Sequence, residues 1–330
     1  MIEEVLSTVR YNPKIDPVLG IWTWEISVYL FLGGMTAGIL CFAAAAHLFK
    51  QTQTQPYTAW RLPLWAPIVL SVGMTTLFLD LEYKLHVFRF YTTLQPTSPM
   101  SWGSWILLLV YPLSVLLIGA TLRNGYPRLA AWAERLPLVT PVLDLCERYR
   151  GAIAAATLPV GVALGIYTGI LLSAFGARPF WNTAILGPLF LVSGLSAAAA
   201  LVILAARPGA ERHRFARIDA GLIALELLLV GLLIIGMATG ARVQLDALGL
   251  IWGGSYTVPF WVWFVAIGLL IPLALELWEL RGPHALALLA PLLVLVGGYL
   301  LRHLTVELGQ LSTWTDYAVQ FDPTLLQRLQ

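Results

Sequence analysis

Charge is scarce in this chain: Asp, Glu, Lys and Arg make up 12% of its 330 residues, about half the share of roughly 25% in a soluble domain. With 58% of the residues hydrophobic, there is too little polar surface to meet water, which excludes a soluble enzyme and a disordered or fibrous chain. The few charges nearly cancel, leaving a formal net charge of +2 and no long-range field for nucleic acid or another polyanion. Cysteine is equally rare. Cys41 lies in an apolar run and Cys146 in a polar connection, so no multi-Cys metal site forms here, and any iron–sulfur cluster has to sit on another polypeptide. The five histidines, His47, His86, His213, His284 and His303, occupy no mid-membrane position where two helices would clamp a haem iron. A glycine-rich phosphate loop and a His-x-x-x-His metal helix are missing as well. The opening Met1-Ile2-Glu3-Glu4 has no basic leader followed by a short apolar core, so the first apolar run is expected to insert and stay.

What the sequence has instead is long apolar runs, and about 20 residues suffice to cross the hydrocarbon core as a helix. Eight such runs occur, at 19–47, 62–84, 102–122, 151–175, 182–206, 217–240, 256–279 and 285–307. The expected fold is all-α, a polytopic membrane protein of eight transmembrane helices in two four-helix bundles. The first bundle spans 19–175 and the second 176–307, between an N-terminal segment 1–18 and a C-terminal tail 308–330. The alternate sides of such a protein divide its twenty Lys and Arg twelve to eight, the richer side carrying Arg61, Arg123, Arg128, Arg135, Arg148, Arg212 and Arg214. Basic residues resist translocation. Both termini are therefore expected on the periplasmic face of a bacterial inner membrane.

The longest connection, from Tyr126 to Arg150, mixes Trp132, Leu136 and Leu143 with Arg128, Arg135 and Arg148 and suits an amphipathic surface helix. Gly34 and Gly38 in the first run, and Gly161, Gly165 and Gly169 in the fourth, form small-residue stripes that let helix backbones approach. Residues 29–38 are echoed by residues 188–197 in the fifth run, as two parallel halves would require.

An ionisable side chain inside a span is costly unless paired, wet or near an end, so each one asks for a reason. Near the periplasmic side lie Glu25, Asp80, Glu82, Lys84, His86, Arg302, His303 and Glu307. Snorkelling and a structural ion pair, for instance Asp80 with Arg302, account for several of these. Glu25 differs, because Tyr29 follows at i+4 and places a phenol on the same helix face. A carboxyl beside a phenol near an apolar wall suits a ligand with a hydrophobic tail and protonatable carbonyl oxygens, such as a quinone; a buried structural hydrogen bond is the competing account. In the other half, Glu226 and Glu276 are candidates for a proton path or for a polar pair fixing two helices, whereas Asp219 and Glu279 are expected near the head groups.

The run Trp22-Thr-Trp-Glu-Ile-Ser-Val-Tyr-Leu-Phe-Leu-Gly-Gly-Met-Thr-Ala-Gly38 resembles the start of the NrfD/PsrC family, the quinone-binding membrane subunits of polysulfide-reductase-type complexes. The resemblance continues through Leu79-Asp-Leu81, Phe88-Arg-Phe90, Ser98-Pro-Met-Ser-Trp-Gly-Ser-Trp105 and Tyr167-Thr-Gly-Ile-Leu-Leu-Ser173. It ends with Arg178-Pro-Phe-Trp-Asn182, Phe190-Leu-Val-Ser193, Gly297-Gly-Tyr-Leu-Leu-Arg302 and Gly309-Gln310. It implies a subunit without redox metals of its own. Such a subunit binds menaquinone or ubiquinone in the outer half of the first bundle, close to a four-cluster iron–sulfur subunit that serves a molybdenum bis(pyranopterin) catalytic subunit. By the same resemblance the quinone contacts fall near Glu25 and Tyr29 and at Tyr167. Glu25 is the expected catalytic, proton-exchanging group, and Asp80, His86 and Arg302, among the ionisable residues near the periplasmic side, are further candidates for quinone binding. Polysulfide-reductase members carry His and Asn where this chain has Tyr29 and Glu25 or Ile26, and their Asp-Leu-Gly-Arg-Pro block becomes Asp80-Leu-Glu-Tyr-Lys84. The function expected is exchange of electrons and protons between the quinone pool and an extrinsic oxidoreductase. The alternatives are a secondary transporter or proton-translocating protein, or a purely structural anchor.

Overall fold

In hydrocarbon no water satisfies a free backbone N–H or C=O, so apolar runs of this length close their hydrogen bonds as helices. A computed structural model describes residues 20–279 and 288–313. The segment 1–18, the connection around Arg281 to His284 and the last residues of the tail lie outside the described residues. Among the described residues, eight helices are long and apolar enough to span a bilayer: α1 (Trp24–Leu48), α2 (Leu62–Asp80), α3 (Pro99–Gly125), α4 (Arg150–Ser173), α5 (Leu186–Ala205), α6 (Ala210–Ala238), α7 (Pro259–Glu279) and α8 (Leu289–Leu311). Their outward faces carry bare apolar side chains such as Val72, Leu109, Val115, Leu228, Ile235, Trp263 and Val296, as expected of a multi-pass membrane protein whose solvent is lipid.

Two helix ends differ from the sequence expectation. Helix α2 stops at Asp80, where Leu81 turns to extended backbone, so Lys84 and His86 belong to a surface turn rather than to a span. Helix α6 begins seven residues earlier than the apolar run, at Ala210, taking Glu211, Arg212 and Arg214 into its first turns. Hydropathy marks the apolar section of a helix and not its solvated overhang. The consequence is a correction: Asp219 lies more than two turns inside α6 and is fully buried, where a solvated place among the head groups was expected.

Helix α1 packs against α2, α4, α5 and α8, and α5 packs against α1, α4, α6 and α8; α3 meets α4, and α7 meets α8. Exchanging each helix for the one four places on maps this set of neighbours onto itself, the pattern an internal repeat produces. The echoed segments themselves touch. A Cβ on Gly38 would lie 2.5 Å from the Gly194 carbonyl oxygen and 2.6 Å from Ala198 Cβ, so α1 and α5 cross backbone to backbone. Part of α7, Pro259–Leu270, is wound as a π-helix. Pro272 has no N–H to return four residues back to Gly268, whose Cα and carbonyl press on Gly297 of α8. On the long α3–α4 connection, Val139–Arg148 forms the expected amphipathic helix, with Leu143 and Cys146 buried and Val142 and Leu145 exposed.

Candidate functional site

On the face where α1 starts and α8 ends, the terminal face, α1 to α4 enclose a cavity of about 460 Å³. That is within the roughly 300–1,000 Å³ of small-molecule sites. Ile26 and Leu30 of α1, Met74, Leu77 and Phe78 of α2, Leu107 of α3, and Leu171 and Leu172 of α4 make its apolar wall. The polar groups on it are few: Tyr29, Thr75, Asp80, Tyr91, Ser104 and Tyr167. Tyr29 and Tyr167 are both buried and both line this wall. Tyr91 stands outside the spans. Burial, with Tyr111 nearby, pushes its phenol above the ordinary range, so it remains a donor.

The sequence blocks quoted above acquire physical roles around this cavity. Ser98 stands at the start of α3, its carbonyl accepting the Ser101 and Trp102 N–H groups at 3.0 and 3.3 Å, with Pro99 in the first turn. Ser101 Oγ accepts the Gln95 N–H at 3.0 Å, and the Trp102 indole donates to the Pro96 carbonyl at 2.6 Å, fixing the loop that roofs the cavity. Gly103 is where the Tyr167 ring lies: any Cβ there would overlap the phenol. On the other side, Gln310 of α8 holds the approach to α1, accepting the Ile21 and Trp22 N–H groups at 3.2 and 2.9 Å and donating to the Trp22 carbonyl at 2.7 Å. Arg178 donates to the Gln310 and Ser312 carbonyls, both at 3.1 Å. The Trp181 indole donates to the Thr305 carbonyl at 2.6 Å and fills the space left by Gly309. Trp22, edge-on to Phe175 and tilted against Trp181, is thereby held as part of the cavity wall.

Of the residues singled out in the sequence, Tyr29, Tyr167 and Asp80 come together on this wall. Glu25 stands half-buried outside the lining, accepting a hydrogen bond from Thr23 and close enough to Asp80 for their carboxylates to repel. His86 lines an adjoining open recess of about 500 Å³ with Glu82, Tyr83 and Arg89, which shares Leu81, Phe90 and Met100 with the cavity. Arg302 is elsewhere, and the suggested ion pair with Asp80 does not form. Its guanidinium is fully buried, donating to Ser193, to the Gly298 carbonyl at 3.1 Å and to the Phe190 carbonyl at 2.8 Å. Glu226 and Glu276 are also buried, in α6 and α7, away from the cavity. Sequence reasoning missed Gly103, Ser104, Tyr91 and Trp22 as parts of one wall. The signal was present in the Ser98–Trp105 block, whose small residues alternate with tryptophans, but which ring fills the gap depends on α4.

Residues 13–313 match the family described as polysulphide reductase, NrfD. The protein is 31% identical to Protein NrfD of Escherichia coli (strain K12) over 307 residues, covering 88% of this sequence and 96% of that protein. It is 26% identical to a polypeptide of the polysulfide reductase of Wolinella succinogenes, covering 88% and 94%. With a subunit of the tetrathionate reductase of Salmonella typhimurium it shares 26% identity, over 57% of this sequence and 50% of that protein. A membrane chain with eight spanning helices among its described residues, matched along nearly its whole length, belongs to the NrfD polysulphide reductase family.

Proposed function

We propose that this protein is the quinone-binding membrane subunit of a reductase complex. In this reading it exchanges electrons and protons between menaquinone or ubiquinone and a four-cluster iron–sulfur subunit, which serves a molybdenum bis(pyranopterin) catalytic subunit. The first four helices form the quinone-bearing unit, and the terminal face is periplasmic in a bacterial inner membrane. Relatives named as parts of a polysulfide reductase and of a tetrathionate reductase support membership of such a complex.

The observation that carries the reading is the cavity: an apolar wall with two buried phenols and a carboxylate at one end. A flat ring with carbonyl oxygens and a long apolar tail calls for that combination of donors and greasy wall. When bound, the quinone supplies the redox chemistry, and the protein supplies binding and proton exchange. Tyr29, Tyr167 and Tyr91 are donors for carbonyl oxygens. Asp80, at the end of α2 with Glu25 beside it, is placed to pass protons between the cavity and the terminal face.

The test is made on the intact complex. Tyr167→Phe and Asp80→Asn are expected to lower quinone-linked turnover while leaving the partner subunits active with an artificial electron donor or acceptor. Full quinone-linked rates and unchanged inhibitor affinity in both variants would overturn the assignment.

A further inference from the structure

Between α3 and α4 the chain forms a foot on the face opposite the termini, far from the cavity. Its helix Val139–Arg148 lies against α3, where Leu143 and Cys146 are buried. A Cβ on Gly119 of α3 would stand 3.0 Å from the Cys146 sulfur and 3.7 Å from Leu143 Cδ2. At about 100° per residue, the remaining side chains of the foot helix fall on two sides. Asp144 and Glu147 share one side and reach Arg123 of α3 at 2.6 and 3.4 Å. Arg123 is one turn beyond Gly119, towards the end of α3 at Gly125, the end that meets water. The acids therefore mark the side of the foot that looks away from the membrane. Val142, Leu145 and Tyr149 fall on the other side and are exposed. That side looks back down α3, where Val115, one turn below Gly119 on the same helix face, is 59% exposed. The space beneath the foot is thus bordered by a lipid-facing strip of α3.

Charge is sorted across the foot in the same way. The connection 126–150 holds three acids, Glu134, Asp144 and Glu147, and Arg123 takes all of them, Glu134 at 2.6 Å. Arg128, Arg135 and Arg148 are exposed and pair with no carboxylate among the described residues. Around the helix, Arg148 falls between Asp144 and Leu145, at the border of the acidic and apolar sides. Trp132, one turn on from Arg128 in the helix Pro127–Ala133, is exposed as well. An apolar side edged by free guanidiniums suits a helix lying in the head-group layer, and exposed Trp and Tyr rings settle at the same depth. A protein partner arriving from water would meet the Arg123 cluster and not the apolar side.

We propose that this foot is a seat for acidic phospholipids. Val142, Leu145 and Tyr149 rest on the acyl boundary of the leaflet at the face opposite the termini, and Arg128, Arg135 and Arg148 take the phosphates of anionic head groups around it. By gathering every acid of the connection, Arg123 keeps carboxylates from repelling those phosphates. Each free guanidinium at an acidic membrane surface strengthens binding roughly fivefold. The seat depends neither on the quinone reading nor on which aqueous phase this face meets.

The first test places a spin label on the full-length protein in nanodiscs of phosphatidylcholine and phosphatidylglycerol. The label is attached at Val142→Cys or, on the acidic side, at Thr140→Cys, since Cys41 and Cys146 are buried. Oxygen, which concentrates in hydrocarbon, is expected to relax the label at 142 more than a water-soluble nickel chelate does, with the order reversed at 140. A label at 142 relaxed chiefly by the chelate overturns the seat and leaves that side to a protein partner. The second test offers the detergent-purified protein equal amounts of the two lipids and counts those retained by native mass spectrometry. The wild type is expected to prefer phosphatidylglycerol. Changing Arg128, Arg135 and Arg148 together to Gln should lower that preference by roughly fivefold for each arginine, whereas changing the same three to Lys should preserve it. Equal retention of the two lipids by the wild type, or an undiminished preference in the Gln variant, overturns the proposal. Loss in the Lys variant does so too, because the arginines would then act through a structural role and not through charge.

Discussion

Gly103 shows how one missing side chain can set the chemistry of a pocket. The Tyr167 ring occupies the space where a Cβ would stand, so the phenol takes its place on the cavity wall only because residue 103 is glycine. Gly103→Ala is expected to push the ring aside at an overpacking cost of about 1–3 kcal/mol. Quinone-site inhibitor affinity should fall as it does in Tyr167→Phe, although no donor has been removed. Tyr167→Phe itself should cost about 1–3 kcal/mol of binding through the unmet carbonyl. Inhibitor titration of the intact complex, with the artificial-acceptor rate as control, measures both. The carboxylates are graded by position in the same way. Asp80 is on the cavity wall and Glu25 outside it, so Glu25→Gln, which keeps size and hydrogen bonding but not proton exchange, should slow quinone-linked turnover less than Asp80→Asn. The reverse order would place the proton path through Glu25 directly.

The helices owe their positions to a few backbone contacts rather than to broad apolar faces, because lipid offers no hydrophobic drive for one helix to meet another. Gly194 of α5 has the Gly34 backbone against it, whereas Gly231 on α6 has open space. Gly194→Val should therefore separate α1 from α5 and sharply lower the thermal stability of the purified protein. Gly231→Ala, a better helix former with nothing to strike, should leave it unchanged or slightly raised. Thermal unfolding in detergent, followed by size-exclusion chromatography, distinguishes the two. The same contrast explains what could be read from the sequence. Eight spans were legible because crossing hydrocarbon imposes a length and an apolar composition, and Gly38 was legible as a packing position from its small-residue spacing. Asp219 was misplaced because hydropathy does not see the overhang that starts α6 at Ala210. The better clue was periodicity: Phe215, Asp219, Glu226, Val230, Leu233 and Met237 lie along one buried stripe of α6, which turns both acids inward. The π-helical section of α7 and the clasp of Gln310 on Trp22 have no such local signature, since each depends on a neighbour distant in the sequence.

The whole molecule is polar across the membrane. The cavity, the Trp22–Gln310 clasp and the open recess lie at the terminal face, and the Arg212–Glu279 contact lies at the opposite one. Which aqueous phase each face meets follows from the basic residues. Arg128, Arg135, Arg148, Arg207, Arg212 and Arg214 all lie on the face opposite the termini, so positive-inside bias predicts a cytoplasmic place for that face. The argument has a direct check, because Cys41 and Cys146 are buried and leave a quiet background for thiol labelling. Thr97, between α2 and α3, and Arg135, between α3 and α4, are both exposed and lie on opposite faces. In sealed cells a membrane-impermeant maleimide is expected to label Thr97→Cys at once and Arg135→Cys only after permeabilisation. The reverse result would turn the protein over. The cavity would then exchange its protons with the cytoplasm, so a partner subunit on the periplasmic side would no longer face the proposed quinone pocket.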